Sequence, residues 1–288
     1  MAKTIGNPAS WVAQAFAGTG RHLSENAAAL GGTDTGAVEL REITLGDLRE
    51  ALRRGAEDFA AFRTDVLAIC LIYPFVGLAL VWLSFSTKQL PLVFPLVAGF
   101  ALIGPLAAVG FYELSRRREK GLPAGWGDAF RFLSGPALGP VLVLGGYLLS
   151  LFVAWLVIAH WIWRLTLGPE PAVSVAAFLG DVFFTPAGWA MIVIGCGVGF
   201  VLAAAVLAMS LVSFPMLIDR NVGIPVAVAT SLAVARKNPR TVAAWGLIVA
   251  AALVAGSIPA LLGLAIVLPL LGHATWHLYR RAVSPPGG

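Results

Sequence analysis

Two histidines near the C-terminus have the spacing of a metal-binding pair. His273 and His277 are four residues apart, so on a helix both side chains lie on the same face, and neutral imidazole is a common metal ligand. Two ligands alone make a poor metal site, and hydrogen bonding at a membrane interface explains the same pair. His273 and His277 are therefore candidate ligands only, and the sequence predicts neither a bound metal nor a cofactor.

Other kinds of site chemistry find little support. His160 lies in a different apolar run, which places it near the opposite ends of the predicted helices from the histidine pair. Cys70 and Cys196 are the only cysteines, too few for a zinc site built on cysteine. Phosphate-binding glycine loops, nucleophile elbows and paired CxxC motifs are absent from the sequence. We therefore predict that the chain is not an enzyme.

A basic cluster lies at the end of an apolar run. Its members are Arg116, Arg117, Arg118 and Lys120. A cluster beside a membrane helix can contact anionic lipid or a protein partner. The alternative is that these residues only set the orientation of the chain, and both interpretations stay open.

Small residues follow one another at helical spacing in a later apolar run. Gly195, Gly199 and Ala203 form a ridge on which another helix can approach closely. We predict that this ridge packs helices.

The elements that hold these residues must be membrane helices. The chain has 288 residues, of which 58% are hydrophobic and 12% charged, with a mean hydropathy of +0.84, whereas soluble domains carry about 25% charged residues. An apolar run of about 20 residues spans the hydrocarbon core. The predicted spans cover residues 65–86, 91–113, 138–165, 187–216, 241–257 and 259–278.

The last two spans come from dividing one long apolar run. A single helix over residues 241–279 would be roughly 58 Å long, about twice the thickness of the hydrocarbon core. Gly256, Ser257 and Pro259 lie near its middle, and proline breaks the helical hydrogen-bond ladder. We therefore predict a turn at this point.

The distribution of basic residues supports six spans. With both termini in the cytoplasm, eighteen Lys and Arg residues lie in inner segments and two, Lys88 and Arg164, in outer segments. The net charge of +5 thus indicates membrane topology, not nucleic-acid binding.

The fold predicted is an all-α, polytopic membrane helical bundle of three hairpins. Short amphipathic cytoplasmic helices are expected before each hairpin, at residues 44–62 and after Gly121-Leu122-Pro123 and Gly223-Ile224-Pro225. Residues 1–40 are predicted to be a disordered cytoplasmic tail, and residues 41–282 to be the membrane domain. The expected location is the bacterial inner membrane.

Several strings resemble a known family. They are Tyr73-Pro74, Leu90-Pro91 to Phe100, Tyr112 to Glu119, Ser213 to Leu217 with Asp219-Arg220, Asn238-Pro239, and Leu271 to Arg280. Over roughly residues 40–281 the chain resembles the prokaryotic membrane proteins catalogued as domain of unknown function 2189. That family has no established activity, so the resemblance implies a membrane protein and no particular reaction. Some of its members carry a cytochrome c oxidase label, which leaves open a role beside a respiratory complex.

Two functions remain as hypotheses. The first is a non-catalytic accessory, assembly or scaffold subunit, whose partners are the lipid bilayer and either another membrane protein complex or a second copy of the chain. The second is a permease or channel for a small neutral solute, with a polar cavity lined by residues such as Tyr73, Ser210, Ser213 and Ser257. A solid apolar core would argue against the permease.

Overall fold

The computed structural model describes residues 38–86, 90–168 and 174–284. In these ranges all the regular elements are helices, and one isolated antiparallel bridge joins Leu40 to Val283. The described α-helices are α1 (Leu45–Cys70), α2 (Ile72–Ser86), α3 (Leu90–Gly99), α4 (Gly104–Ala107), α5 (Val109–Glu119), α6 (Leu138–Thr166), α7 (Val175–Phe184), α8 (Pro186–Ser210), α9 (Ser213–Asp219), α10 (Ile224–Lys237), α11 (Pro239–Ser257) and α12 (Leu264–Ala282). Of the predicted tail at residues 1–40, residues 1–37 lie outside the described residues.

Four helical stretches are long and apolar enough to cross a membrane. They are Leu90–Glu119, Leu138–Thr166, Pro186–Asp219 and Pro239–Ser257. Each coincides with one of the six predicted spans, so the all-helical fold and its membrane character are confirmed. The six-span count and the hairpin arrangement are not confirmed.

The first and last predicted spans differ from the other four for physical reasons. The first falls across a break at Leu71, after which α2 has only 15 residues. The last begins at Leu264, not at residue 259 as predicted, because the intervening residues form a turn. Its second half carries His273, His277 and two arginines, and it is packed inside the protein.

The predicted break within residues 241–279 is confirmed. Helix α11 ends at Ser257, and the turn that follows holds Ala260 and Leu261 at φ values of +51° and +66°. Gly256 and Gly263 meet across it: a Cβ on Gly263 would lie 2.7 Å from the carbonyl oxygen of Gly256. A side chain there would separate α11 from α12.

Proline and glycine interrupt the stretch Leu90–Glu119. A 3₁₀ segment (Phe100–Ile103) follows α3, and the indole Nε1 of Trp155 on α6 donates to the carbonyl of Pro95 at 2.8 Å. A Cβ on Gly99 would lie 2.6 Å from the Trp155 ring. The irregular backbone therefore makes room for Trp155 against α3.

The outer faces of the candidate spans are apolar. Phe200 is 74% exposed, Leu247 71% and Val254 67%. Of the 18 most apolar consecutive residues in Pro186–Asp219, only 6% are buried inside the protein, against 22–28% in the other three candidate spans. Much of the surface of α8 therefore faces away from the rest of the protein.

The best-packed region lies where α1, α5, α9 and α12 meet. The most extensive helix pairing is between α1 and α12. Helix α1 contributes a buried stripe at spacings of three and four residues, formed by Leu48, Ala51, Gly55, Asp58 and Phe62. A Cβ on Gly55 would lie 2.7 Å from the backbone nitrogen of Ala274, so the two helices touch backbone to backbone. The apolar face predicted for an interfacial helix at residues 44–62 thus packs on α12.

Helical segments occupy the places of the other two expected amphipathic helices. One is a 3₁₀ helix, Trp126–Ser134, and the other is α10. Asn238, after α10, accepts from the backbone nitrogen of Ile43 at 2.9 Å and donates to the carbonyl of Arg41 at 3.2 Å. These bonds attach the segment before α1 to the start of α11.

Candidate functional site

Asp58 is the centre of a buried polar cluster. It lies on the stripe of α1, is 4% exposed, and has partners on two other helices. Oδ2 accepts from the Ser115 hydroxyl at 2.5 Å and lies 2.9 Å from His277 Nε2, while Oδ1 lies 2.5 Å from Arg118 Nη1. One carboxylate therefore joins α1, α5 and α12.

The environment of Asp58 favours its ionised form. Burial alone would raise the pKa of Asp58, but hydrogen bonds from His277 and Ser115 outweigh it and lower that pKa below its ordinary value. A charged carboxylate is thus retained in a buried position because each of its oxygens has a donor.

His273 extends the cluster towards the apolar core. Its Nδ1 lies 2.8 Å from the Ser115 oxygen, and its ring has no exposed surface. The ring stacks on Phe62 at a centroid distance of 6.0 Å and is tilted against Phe111 at 5.5 Å. Because the single Ser115 proton goes to Asp58, the Ser115 oxygen accepts from Nδ1–H, and Nε2, which has no hydrogen-bond partner, faces the core as a bare acceptor.

The order of these hydrogen bonds differs from that of a nucleophilic serine. A catalytic serine gives its proton to histidine, and a carboxylate orients that histidine. Here Ser115 donates to the carboxylate and accepts from the histidine, and it is 1% exposed. The arrangement is suited to joining helices.

A second cluster connects the last turns of α5, α9 and α12. Glu119 accepts from Trp276 Nε1 at 2.9 Å and from Arg280 Nε at 2.9 Å. Asp219 accepts from the Tyr279 hydroxyl at 3.0 Å and lies 3.4 Å from Arg280 Nη1. The candidate spans that end at Glu119 and Asp219 therefore reach the same end of the bundle as the C-terminus of α12.

These clusters contain residues from three of the strings that carried the family resemblance. Two of these strings, Tyr112 to Glu119 and Ser213 to Arg220, lie at the ends of two candidate spans. Their helices α5 and α9 contact each other, and both pack against α12. Residues 93–219 match the family described as predicted integral membrane protein, domain of unknown function 2189. The resemblance is thereby confirmed over that range, and the chain is an integral membrane protein. No curated protein and no solved structure matches the chain.

The family match includes some members of the clusters and not others. Ser115, Arg118 and Glu119 lie inside the range matched by domain of unknown function 2189. Asp58 and His277 lie outside it, on the first and last described helices that the match leaves uncovered. The Asp58 cluster thus connects the matched region to both flanking parts of the chain.

The structure divides the predicted basic cluster among different partners. Arg116 makes a bidentate pair with Glu113 at 2.8 and 2.9 Å. Arg117 donates to the Pro123 carbonyl and lies 3.3 Å from Asp128. Arg118 pairs with Asp58, and Lys120 Nζ lies 3.7 Å from Asp219.

The two histidines of the predicted pair lie beside Asp58 and are not part of a set of metal ligands. His277 bonds Asp58 directly, whereas the nearest approach of His273 Nδ1 to that carboxylate is 4.0 Å. In the part of the chain that the structure describes, no group of three or more His, Cys, Asp and Glu side chains is placed to hold a metal ion. His160 packs beside Trp163, near the other end of α6, roughly 33 Å from Leu138 by helical rise.

The predicted small-residue ridge of α8 is only partly covered by the rest of the protein. A Cβ on Gly199 would lie 3.2 Å from the Trp155 ring, whereas nothing lies within 4 Å of a Cβ on Gly195. Ala203 is exposed. The ridge therefore meets α6 at Gly199 and is open at its other two members.

Asp58 and Ser115 were not singled out from the sequence. Helix α1 carries many other charged residues, so one more aspartate does not stand out in the sequence. The available signal was its register: it is three residues after Gly55 and four before Phe62, which places it on the apolar stripe.

Proposed function

We propose that this chain is a non-catalytic accessory, assembly or scaffold subunit of the bacterial inner membrane, crossing it six times with both termini in the cytoplasm. The observation that supports this role best is the exposed apolar surface of α8, since a membrane helix with a face that its own chain leaves uncovered can meet another membrane protein or a second copy. Small residues at Gly195 and Ala203 would let a partner helix approach closely.

The polar groups of the bundle support a structural role. Asp58, Glu119 and Asp219 are held by residues of other helices. The hydroxyls of Ser210 and Ser257 donate to the carbonyls of Val206 and Leu253 in their own helices, at 2.6 and 2.8 Å. Hydroxyls used in this way favour packing over a polar pathway for a solute.

The ends of the helices support six spans. The C-terminal turn of α12 lies beside Glu119 and Asp219, and the turn after α11 lies beside α2, where a Cβ on Gly77 would be 2.7 Å from Leu261. Helix α12 would thus run from one membrane face to the other. Helix α2 would form the first hairpin together with the span Leu90–Glu119. Basic residues gather at the face that holds Arg118 and Arg280, which the positive-inside rule assigns to the cytoplasm.

Extraction from native membranes in a mild detergent tests the proposed role. We expect size-exclusion chromatography with light scattering to give a protein mass above the 30.1 kDa of one chain. The double variant Gly195→Leu, Ala203→Leu should return the mass to that of one chain. Ala154→Leu, the same kind of enlargement on an exposed position of α6, is the matched control and should leave the larger particle intact.

A different outcome would favour a permease. If the wild-type particle holds one chain in every mild detergent, and liposomes containing it swell faster than empty ones in glycerol or urea gradients, the scaffold proposal is wrong.

A further inference from the structure

A cavity of about 510 Å³ opens at the membrane face where three candidate spans end. It lies between the last turn of α5, the 3₁₀ helix Trp126–Ser134, the start of α6 and the segment that follows α9. Its volume falls within the range of small-molecule sites, roughly 300–1,000 Å³.

The lining of this cavity is basic. Four arginines, Arg116, Arg117, Arg131 and Arg220, and two carboxylates, Glu113 and Asp219, give it a net charge of +2. Glu113 is committed to Arg116, and Asp219 to Tyr279, Arg280 and Lys120. Neither of these two lining carboxylates therefore pairs with Arg117, Arg131 or Arg220.

The contacts of these three arginines do not use all of their donors. Arg117 directs Nε and Nη2 to the Pro123 carbonyl, and these contacts do not involve its Nη1. Arg131 is 65% exposed and lies 3.4 Å from Asp128, a carboxylate that it shares with Arg117. Arg220 donates to the Ser284 carbonyl through Nη2, but its buried Nε has no hydrogen-bond partner. A buried guanidinium donor without an acceptor is costly, and a small rotation of the Arg220 side chain would bring this donor to an anion in the cavity.

A helix start adds to the positive potential. Gly135, Pro136 and Ala137 line the cavity, and α6 begins directly after them at Leu138. No side chain caps this 29-residue helix, so its partial positive charge faces the cavity.

The position of the cavity suits a lipid. It lies level with the ends of candidate spans, where headgroups are found, and its walls include apolar side chains from Phe132, Leu217 and Val222. Beside it, Phe130 and Leu133 of the 3₁₀ helix are 44% and 49% exposed, as expected at a membrane surface. Polar and apolar walls together fit an amphiphile better than a free ion.

We propose that this cavity binds the phosphate group of an anionic phospholipid, with Arg117, Arg131 and Arg220 as its ligands and the acyl chains against the adjoining spans. This site goes beyond the proposed role, since a lipid can bind here whether or not α8 meets a partner.

Native mass spectrometry of the full chain tests the site. The purified protein is titrated with phosphatidylglycerol, phosphatidylcholine and inorganic phosphate. We expect preferential binding of phosphatidylglycerol, weakened about fivefold by each of Arg117→Gln and Arg131→Gln, and more than tenfold by both together. Arg240→Gln, an exposed arginine at the start of α11 outside the cavity, should bind like the wild type.

Several results would overturn the proposal. Equal binding of phosphatidylglycerol and phosphatidylcholine would remove the anion preference, and displacement of the lipid by millimolar inorganic phosphate would make the ligand a free anion. Equal weakening by Arg240→Gln would show a diffuse charge effect.

A measurement on the wild type alone guards against variants that fail to fold. A photoreactive phosphatidylglycerol should label peptides containing Phe132 to Pro140. Labelling confined to the exposed face of α8 would contradict the site.

Discussion

Asp58 carries a charge on the side of α1 that packs against α12. Its three partners come from α5 and α12. Ser115, Arg118 and His277 all approach it within 3 Å. Removing a partner from a buried ionic cluster leaves the other groups unpaired, which typically costs about 3–5 kcal/mol. The stability of this region should therefore depend on the one carboxylate.

The first prediction concerns the charge of Asp58. Asp58→Asn keeps the shape but loses the ion pair with Arg118, and we expect it to reduce stability by about 2–4 kcal/mol, or roughly 5–15 °C in Tm. Thermal unfolding in detergent measures this. Glu57→Gln is the control, since Glu57 is 51% exposed and pairs only with exposed Arg53; equal losses in the two variants would refute a special role for Asp58.

The second prediction follows from the lowered pKa of Asp58. Its charge stabilises the fold above the unfolded-state pKa of about 3.9, and that contribution is lost as the pH falls through the lower folded-state pKa. The difference in Tm between the wild type and Asp58→Asn should therefore be constant from about pH 5 to 7 and shrink below about pH 4. A difference that shrinks between pH 5 and 7 would show that another group controls it.

Sequence reasoning reached the histidines of this cluster and not its carboxylate. The i and i+4 spacing brought out His273 and His277, but which side chains meet them depends on packing between helices 158 and 219 residues apart in the chain. No local pattern contains that information. The basic string Arg116 to Arg118 likewise reads as one cluster in sequence, whereas consecutive helical positions point in different directions and find different partners.

Helix α1 depends on its contact with α12, and Gly55 sets the distance between them. Hydrophobic periodicity predicted α1 and the four long apolar spans, because burial and membrane solvation both act on runs of side chains. The start of α12 was missed by five residues, since the turn at Ala260 and Leu261 uses positive φ at residues that seldom adopt it. Such a turn is fixed by the close approach of Gly256 and Gly263 and not by its own residue types.

The third prediction tests the contact between α1 and α12. Gly55→Ala places a methyl group 2.7 Å from the backbone of Ala274, so we expect a loss of about 1–3 kcal/mol, despite the gain in helix propensity of about 1 kcal/mol. Gly146→Ala, at an exposed position of α6, is the control, because a Cβ there meets nothing within 4 Å, and its Tm should stay the same or rise. If both variants melt alike, the backbone contact at Gly55 does not constrain the helices.

At the scale of the whole molecule, charge lies at one end and apolar surface around the sides. The bridge from Leu40 to Val283 and the Asp58 cluster bring the two described ends of the chain together at that charged face. An even number of spans is required if both ends share one side of the membrane. Six spans satisfy this condition with α2 and α12 added to the four candidate spans.

The fourth prediction concerns this topology. In a chain with Cys70 and Cys196 replaced by alanine, Ala260→Cys should react with a membrane-impermeant maleimide in intact cells once the outer membrane is permeabilised. Arg281→Cys should react only after the inner membrane is opened. Reaction of both positions under the same condition would exclude the six-span arrangement.

The open side of α8 decides between a subunit and a self-contained protein, and photo-crosslinking in living cells examines it most directly. A photoreactive amino acid is placed at Gly195, with the same residue at Ala154 as the control. The proposed scaffold role predicts a discrete protein adduct from position 195 and none from position 154. Lipid adducts alone at both positions would contradict it.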